Sequence, residues 1–366
     1  MIPRHFGESA PFSVGVEEEL FVLDAETLQP APVPPELLDG RRFKAELFAS
    51  VLELNTGICT SVAAAGQELA ELRAEGKRQA AETGLVLAAA GTWPTAVAEE
   101  QPITQDPGYQ RFVEYAGSSA RRQYCSGLHV HIGVASPGAC MAALEDALPW
   151  LPVLLAVSAN SPYSACQETG LASTRAEILA LLPRSGAPPV FESFEAWERF
   201  AERLVELDLA DDVMRIWWDI RPHPRFGTVE LRAPDQPSRL DATLAFAALF
   251  QALVASGDGS GPGKFSSTTD PTTRPPPADR GVYAQNRWAA LRFGQTAALV
   301  HPSEERVVSA MGLLTELVER VHPTLERFGT AGLVAALDGL AQADEQLEIG
   351  RRDGLRSLCE TLVALT

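Results

Sequence analysis

"FSVGVEEELFVLD", residues 12–24, has the composition of a core β-strand broken by three consecutive glutamates. Val14, Val16, Phe21 and Val22 supply strand propensity. Side chains alternate faces along a strand, so Gly15, Glu17, Glu19 and Phe21 share one side. Val16, Glu18, Leu20 and Val22 share the other. Glu17 and Glu19 therefore project together, about 7 Å apart along the strand. Glu18 points with the valines and is expected to pair with an arginine behind the sheet.

Three further segments repeat this division. In "SGLHVHIGV" (126–134), Leu128, Val130, Ile132 and Val134 oppose His129 and His131. In "GTVELRAP" (227–234), Val229, Leu231 and Ala233 oppose Thr228, Glu230 and Arg232. In "VLELNTGIC" (51–59), Leu52, Leu54 and Ile58, with Thr56, oppose Glu53 and Asn55. The four polar faces together carry glutamate, histidine and arginine, and no lysine. Carboxylates and imidazole suit a hard divalent cation; guanidinium suits a phosphate. One apolar face and one ligand-rich face is the pattern of an antiparallel sheet covered on one side.

Strand-like segments fall at 13–23, 51–59, 85–91, 125–134, 213–220 and 227–233. Helix-like segments fall at 62–82, 138–160, 192–209, 238–255, 280–298, 303–320 and 332–363. The 366 residues are 46% hydrophobic, ample for a core, and carry a formal net charge of −18. That balance excludes a basic nucleic-acid footprint. Five cysteines without a CxxC pair fit a reducing cytosol, and the N-terminus lacks the apolar segment of a signal peptide. The run "ALPWLPVLLAVSA" is too short to span a bilayer. A cytoplasmic protein with no membrane or nucleic-acid partner is expected. Residues 256–281 read as a Gly/Pro-rich flexible loop. Their "GPGK" is no P-loop, since Asp258 and Phe265 stand where glycine and Ser/Thr are needed.

The chain resembles the bacterial carboxylate–amine ligases grouped as type 2 glutamate–cysteine ligases. The resemblance rests on "VGVEEEL" (14–20), "VLELNTGIC" (51–59), "HVHIGV" (129–134), "LAVSANSPY" (155–163), "ASTR" (172–175), "WWDIRPHPRFGTVELRAPD" (217–235) and "NRWAALRFG" (286–294). It implies an α+β protein of the glutamine synthetase/guanido kinase catalytic fold. In that fold a curved, mainly antiparallel sheet forms a funnel with helices on its convex side. It implies one catalytic domain over 1–366, with a mostly helical part at 282–366, and a homodimer. It also implies ATP, Mg²⁺ and the joining of an amino acid carboxylate to an amine, with glutamate and cysteine as the type case. By motif, Glu17, Glu19, Glu53, His129 and Glu230 are expected to hold metal. Arg232, Glu230 and Arg221 are the expected catalytic residues. His131, Arg221 and Arg175 are expected at the substrate, and Arg175, Asn286, Arg287 and Arg292 at the nucleotide.

Other readings stay open at the level of sequence. An HxH strand with carboxylates also fits a metal-dependent hydrolase, although the many glutamates favour Mg²⁺. A non-catalytic nucleotide-binding regulator or a guanidine phosphotransferase could use the same fold. His223, between prolines, reads as a turn residue. Arg221 has a simple alternative partner in Asp219.

Overall fold

The structure, a computed structural model, describes residues 2–257 and 277–366. Most of the Gly/Pro-rich loop expected at 256–281 lies outside the described residues. Seven strands form one sheet: β1 (Val14–Asp24), β2 (Phe43–Ala45), β3 (Val51–Asn55), β4 (Leu85–Ala88), β5 (Leu128–Gly133), β6 (Ile220–His223) and β7 (Thr228–Leu231). Their order is β6-β7-β5-β1-β3-β2, and every pairing is antiparallel. β1 is the axis. One edge pairs with β5 over Val14–Glu18 and with β4 over Phe21–Asp24, while the other pairs with β3 over Glu17–Phe21.

Helices cover the valine face. The longer helices are α1 (Val62–Glu82), α2 (Pro107–Ala116), α3 (Pro137–Ala147), α4 (Leu151–Ser158), α5 (Phe194–Glu206), α6 (Leu240–Ser256), α7 (Arg280–Phe293), α8 (Ala310–Phe328), α9 (Gln342–Asp353) and α10 (Leu355–Leu365), and α1, α3, α4, α6 and α8 lie on that face. Val14, Val16, Val130, Ile132, Val229 and Leu231 pack with α4, α6 and α8 in one apolar cluster. Leu20, Val22, Leu52 and Leu54 pack with Leu72 and Ala80 of α1 in another. The apolar run Pro137–Ser158 is mostly inside this core.

Several expectations shift for local reasons. The helix expected at 138–160 is broken by a 3-10 turn at Leu148–Trp150, where Pro149 and Pro152 remove backbone donors. The helix expected from 303 begins at Ala310, because Val307–Ser309 pairs with Ala298–Val300 as a small sheet. The segment 332–363 divides at Gly354, whose φ of 85° ends α9. Ile58, expected on the core face, is 76% exposed, since β3 stops at Asn55 and the alternation stops with it.

The glutamate face is not open along its whole length. From Phe21 onward it is sealed by a third apolar cluster holding Phe48, Trp93, Phe112 and Tyr124, with Leu358 and Leu362 of α10. This plug confines the polar part of the face to the half of β1 that carries Glu17 and Glu19.

Candidate metal and catalytic site

Strand register lines up the charged residues in a row across the sheet. Arg221 on β6 faces Glu230 on β7, Glu230 faces His131 on β5, Glu17 on β1 faces His129, and Glu19 faces Glu53 on β3. Directly opposed residues have side chains about 5 Å apart, so pairing alone converges the row. Three overlapping groups of ligand atoms result, each within 4.8 Å of one another: Glu17 with His131 and Glu230, Glu17 with Glu53 and His129, and Glu19 with Glu46 and Glu53.

The distances show how tightly the row is knit. His129 Nδ1 lies 3.3 Å from Glu17 Oε2, and its Nε2 lies 3.8 Å from Glu19 Oε1. His131 Nε2 lies 3.4 Å from Glu17 Oε1. Glu19 Oε2 accepts from the Gly127 amide at 2.6 Å. Burial opposes ionisation of Glu17, but His131 and His129 outweigh it and hold the carboxyl well below its usual range. Burial pushes Glu19 up to about 7, with Arg175 opposing and Glu53 adding to the rise. Burial and neighbouring carboxylates raise Glu53 and Glu46 as well. Burial lowers His129 to about 4, so its ring is a neutral ligand near neutral pH.

Glu230 is fully buried and accepts from two arginines. Arg221 binds it bidentately, Nε at 2.6 Å and Nη2 at 3.1 Å, and Arg232 Nη1 donates at 2.6 Å. These cations keep Glu230 ionised against its burial. Arg221 Nη1 also donates to the carbonyls of Met214 and Ile216. The alternative Asp219–Arg221 pairing is not formed. Asp219 instead accepts from Arg287 Nε and from the Tyr283 hydroxyl, both at 2.6 Å.

Arg175 is buried and donates to the carbonyls of Arg232 and Ala233 at 3.0 and 3.2 Å, so it clamps the backbone that presents Arg232. Behind it, three of the sequence motifs meet in one polar knot. Asp235 accepts from the Asn160 amide and the hydroxyls of Ser161 and Ser173, and Ser161 Oγ accepts from the Arg175 amide. Arg175, expected at substrate and nucleotide, here braces the backbone of β7's end, and its charge also acts on Glu19.

The three other nucleotide candidates lie apart from the row. Asn286 exchanges two hydrogen bonds with the Val300 backbone, both 2.8 Å. Arg287 is committed to Asp219 and the Ala176 carbonyl. Arg292 ends α7 on the surface with its guanidinium 5.0 Å from the Phe293 ring. None of the three joins the row.

Sequence reasoning missed Glu46 and Lys44. The face does carry a lysine: Lys44 on β2 opposes Glu53 and donates to Glu53 Oε1 at 3.2 Å and Asn55 Oδ1 at 2.8 Å. β2 is three residues long, too short to display a period, and Glu46 lies just past it. His223 is a strand residue rather than a turn residue, pairs with Thr228, and stacks on Phe226.

The sequence profile of glutamate–cysteine ligase family 2 matches residues 13–360. A protein of Rubrobacter xylanophilus, provisionally named glutamate–cysteine ligase 2-3, is 38% identical over 99% of both chains. A Sorangium cellulosum protein, provisionally named glutamate–cysteine ligase 2, is 36% identical over 87% of this chain and 85% of its own. Among solved structures, glutamate–cysteine ligase from Francisella tularensis in complex with AMP aligns with a TM-score of 0.67 at 13% identity, over 98% of this chain and 88% of its own. A bifunctional glutathione synthetase from Pasteurella multocida aligns with a TM-score of 0.63 at 14% identity, over 96% of this chain and 52% of its own. These alignments establish the α+β ligase fold that the resemblance implied. By profile and by full-length identity, the chain belongs to glutamate–cysteine ligase family 2, and it is a carboxylate–amine ligase.

Proposed function

We propose that the protein uses ATP and Mg²⁺ to join an amino acid carboxylate, glutamate in the first instance, to an amine such as cysteine through an acyl phosphate. The observation that carries this reading is the row of three overlapping ligand groups ending in the Arg221–Glu230–Arg232 triad. The donor set fits Mg²⁺: carboxylate oxygens dominate it. His131 Nε2 is buried there without a hydrogen-bond partner. Glu19, Glu46 and Glu53 crowd together, and although Arg175 and Arg232 act on Glu19 and Lys44 on Glu53, all three carboxyls stay raised, a need for positive charge that bound cations would meet.

Glu17, Glu19, Glu46, Glu53, His129, His131 and Glu230 would hold the metal. A divalent cation held there would supply positive charge against that of the phosphate groups. A carboxylate is a poor acyl donor because oxide would have to leave, and phosphorylation replaces oxide with phosphate. Arg232, half-buried and anchored through Nη1 to Glu230, is assigned to the transferring phosphoryl group. Arg221 holds Glu230 from the other side and fixes the charge pattern before substrate arrives. The amine then attacks the acyl carbon and phosphate leaves. The names of the family relatives favour glutamate and cysteine as the pair, and the AMP complex of the Francisella enzyme agrees with a nucleotide substrate. The reading takes the protein as a cytoplasmic homodimer, which sedimentation in solution checks.

The test is phosphate release with ATP and Mg²⁺, with glutamate and other acids run against a panel of amines and products identified by mass. Release that requires both an acid and an amine is expected. Product formation without ATP, or no release under any pairing, overturns the proposal.

A further inference from the structure

His131 is enclosed on three sides by the β6–β7 hairpin. Its Nδ1 lies 3.0 Å from Thr228 Oγ1. The rings of His223 and Phe226 meet its ring edge-on, with centroids 5.2 and 5.4 Å away, and stack on each other at 4.1 Å. Thr228 and Glu230 lie on one face of β7, and Glu230 opposes His131, so Thr228 is its diagonal neighbour. The turn between the strands is itself fixed. Gly227 has φ +66°, and a Cβ there would lie 2.2 Å from the His5 carbonyl oxygen. The one edge of the imidazole left free carries Nε2, buried, without a hydrogen-bond partner, and aimed at Glu17.

An imidazole that binds a cation through one nitrogen holds its proton on the other, and the group accepting that proton sets both tautomer and ring angle. We propose that Thr228 is a positioning residue that accepts the Nδ1 proton of His131 and so presents the Nε2 lone pair to a divalent cation shared with Glu17 and Glu230. His223 and Phe226 are the walls that stop the ring from turning. The inference rests on the metal reading above, and it adds a residue that acts through His131 without touching the cation.

The experiment uses Mn²⁺ as the probe, titrated into the full chain and followed by electron paramagnetic resonance. Thr228→Val keeps the side chain's shape and removes the hydroxyl, and it should weaken one class of Mn²⁺ site roughly 10- to 100-fold. Thr228→Ser should restore binding. Equal binding by wild type and Thr228→Val overturns the inference and leaves the metal reading standing. Absence of Mn²⁺ binding by the wild type instead fails the metal reading itself. A readout that needs no variant is the ¹⁵N spectrum of the magnesium-loaded wild type. The His131 proton should sit on Nδ1, and a proton on Nε2 with Nδ1 bare overturns the proposal even if Thr228→Val does not fold.

Discussion

Glu17, Glu18 and Glu19 are consecutive in the chain and serve two different purposes, because the pleat sends the middle one to the opposite face. Glu18 is fully buried under α1 and α6 and accepts from Arg73 Nε and Nη2, both at 2.7 Å, from Thr243 Oγ1 at 2.6 Å and from Gln236 Nε2 at 3.0 Å. Four donors converge on the carboxylate, so burial fails to neutralise it, and Arg73 holds the carboxyl below its usual range. Removing one partner of such a pair leaves an uncompensated buried charge, at a cost of about 3–5 kcal/mol. Glu18→Ala should therefore lower stability by that order in chemical denaturation, while the molecules that remain folded keep their metal affinity. Glu17→Gln should do the reverse, with stability little changed and Mn²⁺ binding lost. If both variants lose metal and stability alike, the division of labour along β1 is wrong. This division was legible from alternation alone, down to the expected arginine behind the sheet. Glu46 was not legible, because it joins the row by spatial convergence from an irregular segment and no period in the sequence marks it.

At the scale of elements, β7 is the strand on which the chemistry converges, and much of the surrounding sequence exists to hold its end in place. Its pattern Thr228-Val229-Glu230-Leu231-Arg232 was readable as one apolar and one polar face. The support behind it was not, because Asp235, Ser161, Ser173 and Arg175 come from three distant segments whose polar residues look equally fit for ligand binding. Only the fold shows Arg175 lying flat against the backbone of Gly127, where a Cβ would come within 2.0 Å of its Nη2. Asn286 and Arg287 show the same ambiguity: a buried arginine pairing with an aspartate leaves the same trace in a sequence as one awaiting a phosphate, and Arg287 here pairs with Asp219. Gly127→Ala should displace Arg175 from the carbonyls of Arg232 and Ala233 and cost about 1–3 kcal/mol through overpacking. It should also lower kcat more than it raises KM, since Arg232 rather than substrate binding is disturbed. Thermal unfolding and steady-state kinetics on the same preparation check both, and an unchanged kcat would mean that the clamp has no part in placing Arg232.

For the whole molecule, folding gathers carboxylates that repel one another, and the result is a stability that depends on pH and on cations. Glu19 rises from an ordinary 4.5 to about 7 through burial, with Glu53 adding to the rise, and Glu46 and Glu53 are raised too. Between these limits the folded metal-free chain keeps protons that the unfolded chain has released. The unfolded state binds fewer protons, so stability from these groups falls as pH rises. For Glu19 alone the displacement from 4.5 to about 7 corresponds to roughly 3 kcal/mol. His131, raised above its ordinary value by Glu17 and Glu230 in spite of burial, acts in the same direction. His129 and His223, lowered by burial to about 4 and about 3, act oppositely, but only below their unfolded value of about 6.5. Glu17 and Glu230, held low, matter only in the acid range. Above about pH 6.5 the carboxylate contribution therefore stands without opposition from the buried histidines. The melting temperature of EDTA-treated protein should fall between pH 6.5 and pH 8.5. Mg²⁺ should raise it most at the alkaline end, where no proton competes for the ligands. Glu46→Gln removes one of the raised carboxyls and should flatten the metal-free profile while diminishing the response to Mg²⁺. A metal-free melting temperature that is level or climbs over this range, or a Mg²⁺ response that shrinks with rising pH, would show that the row is not the cation-demanding centre its geometry describes.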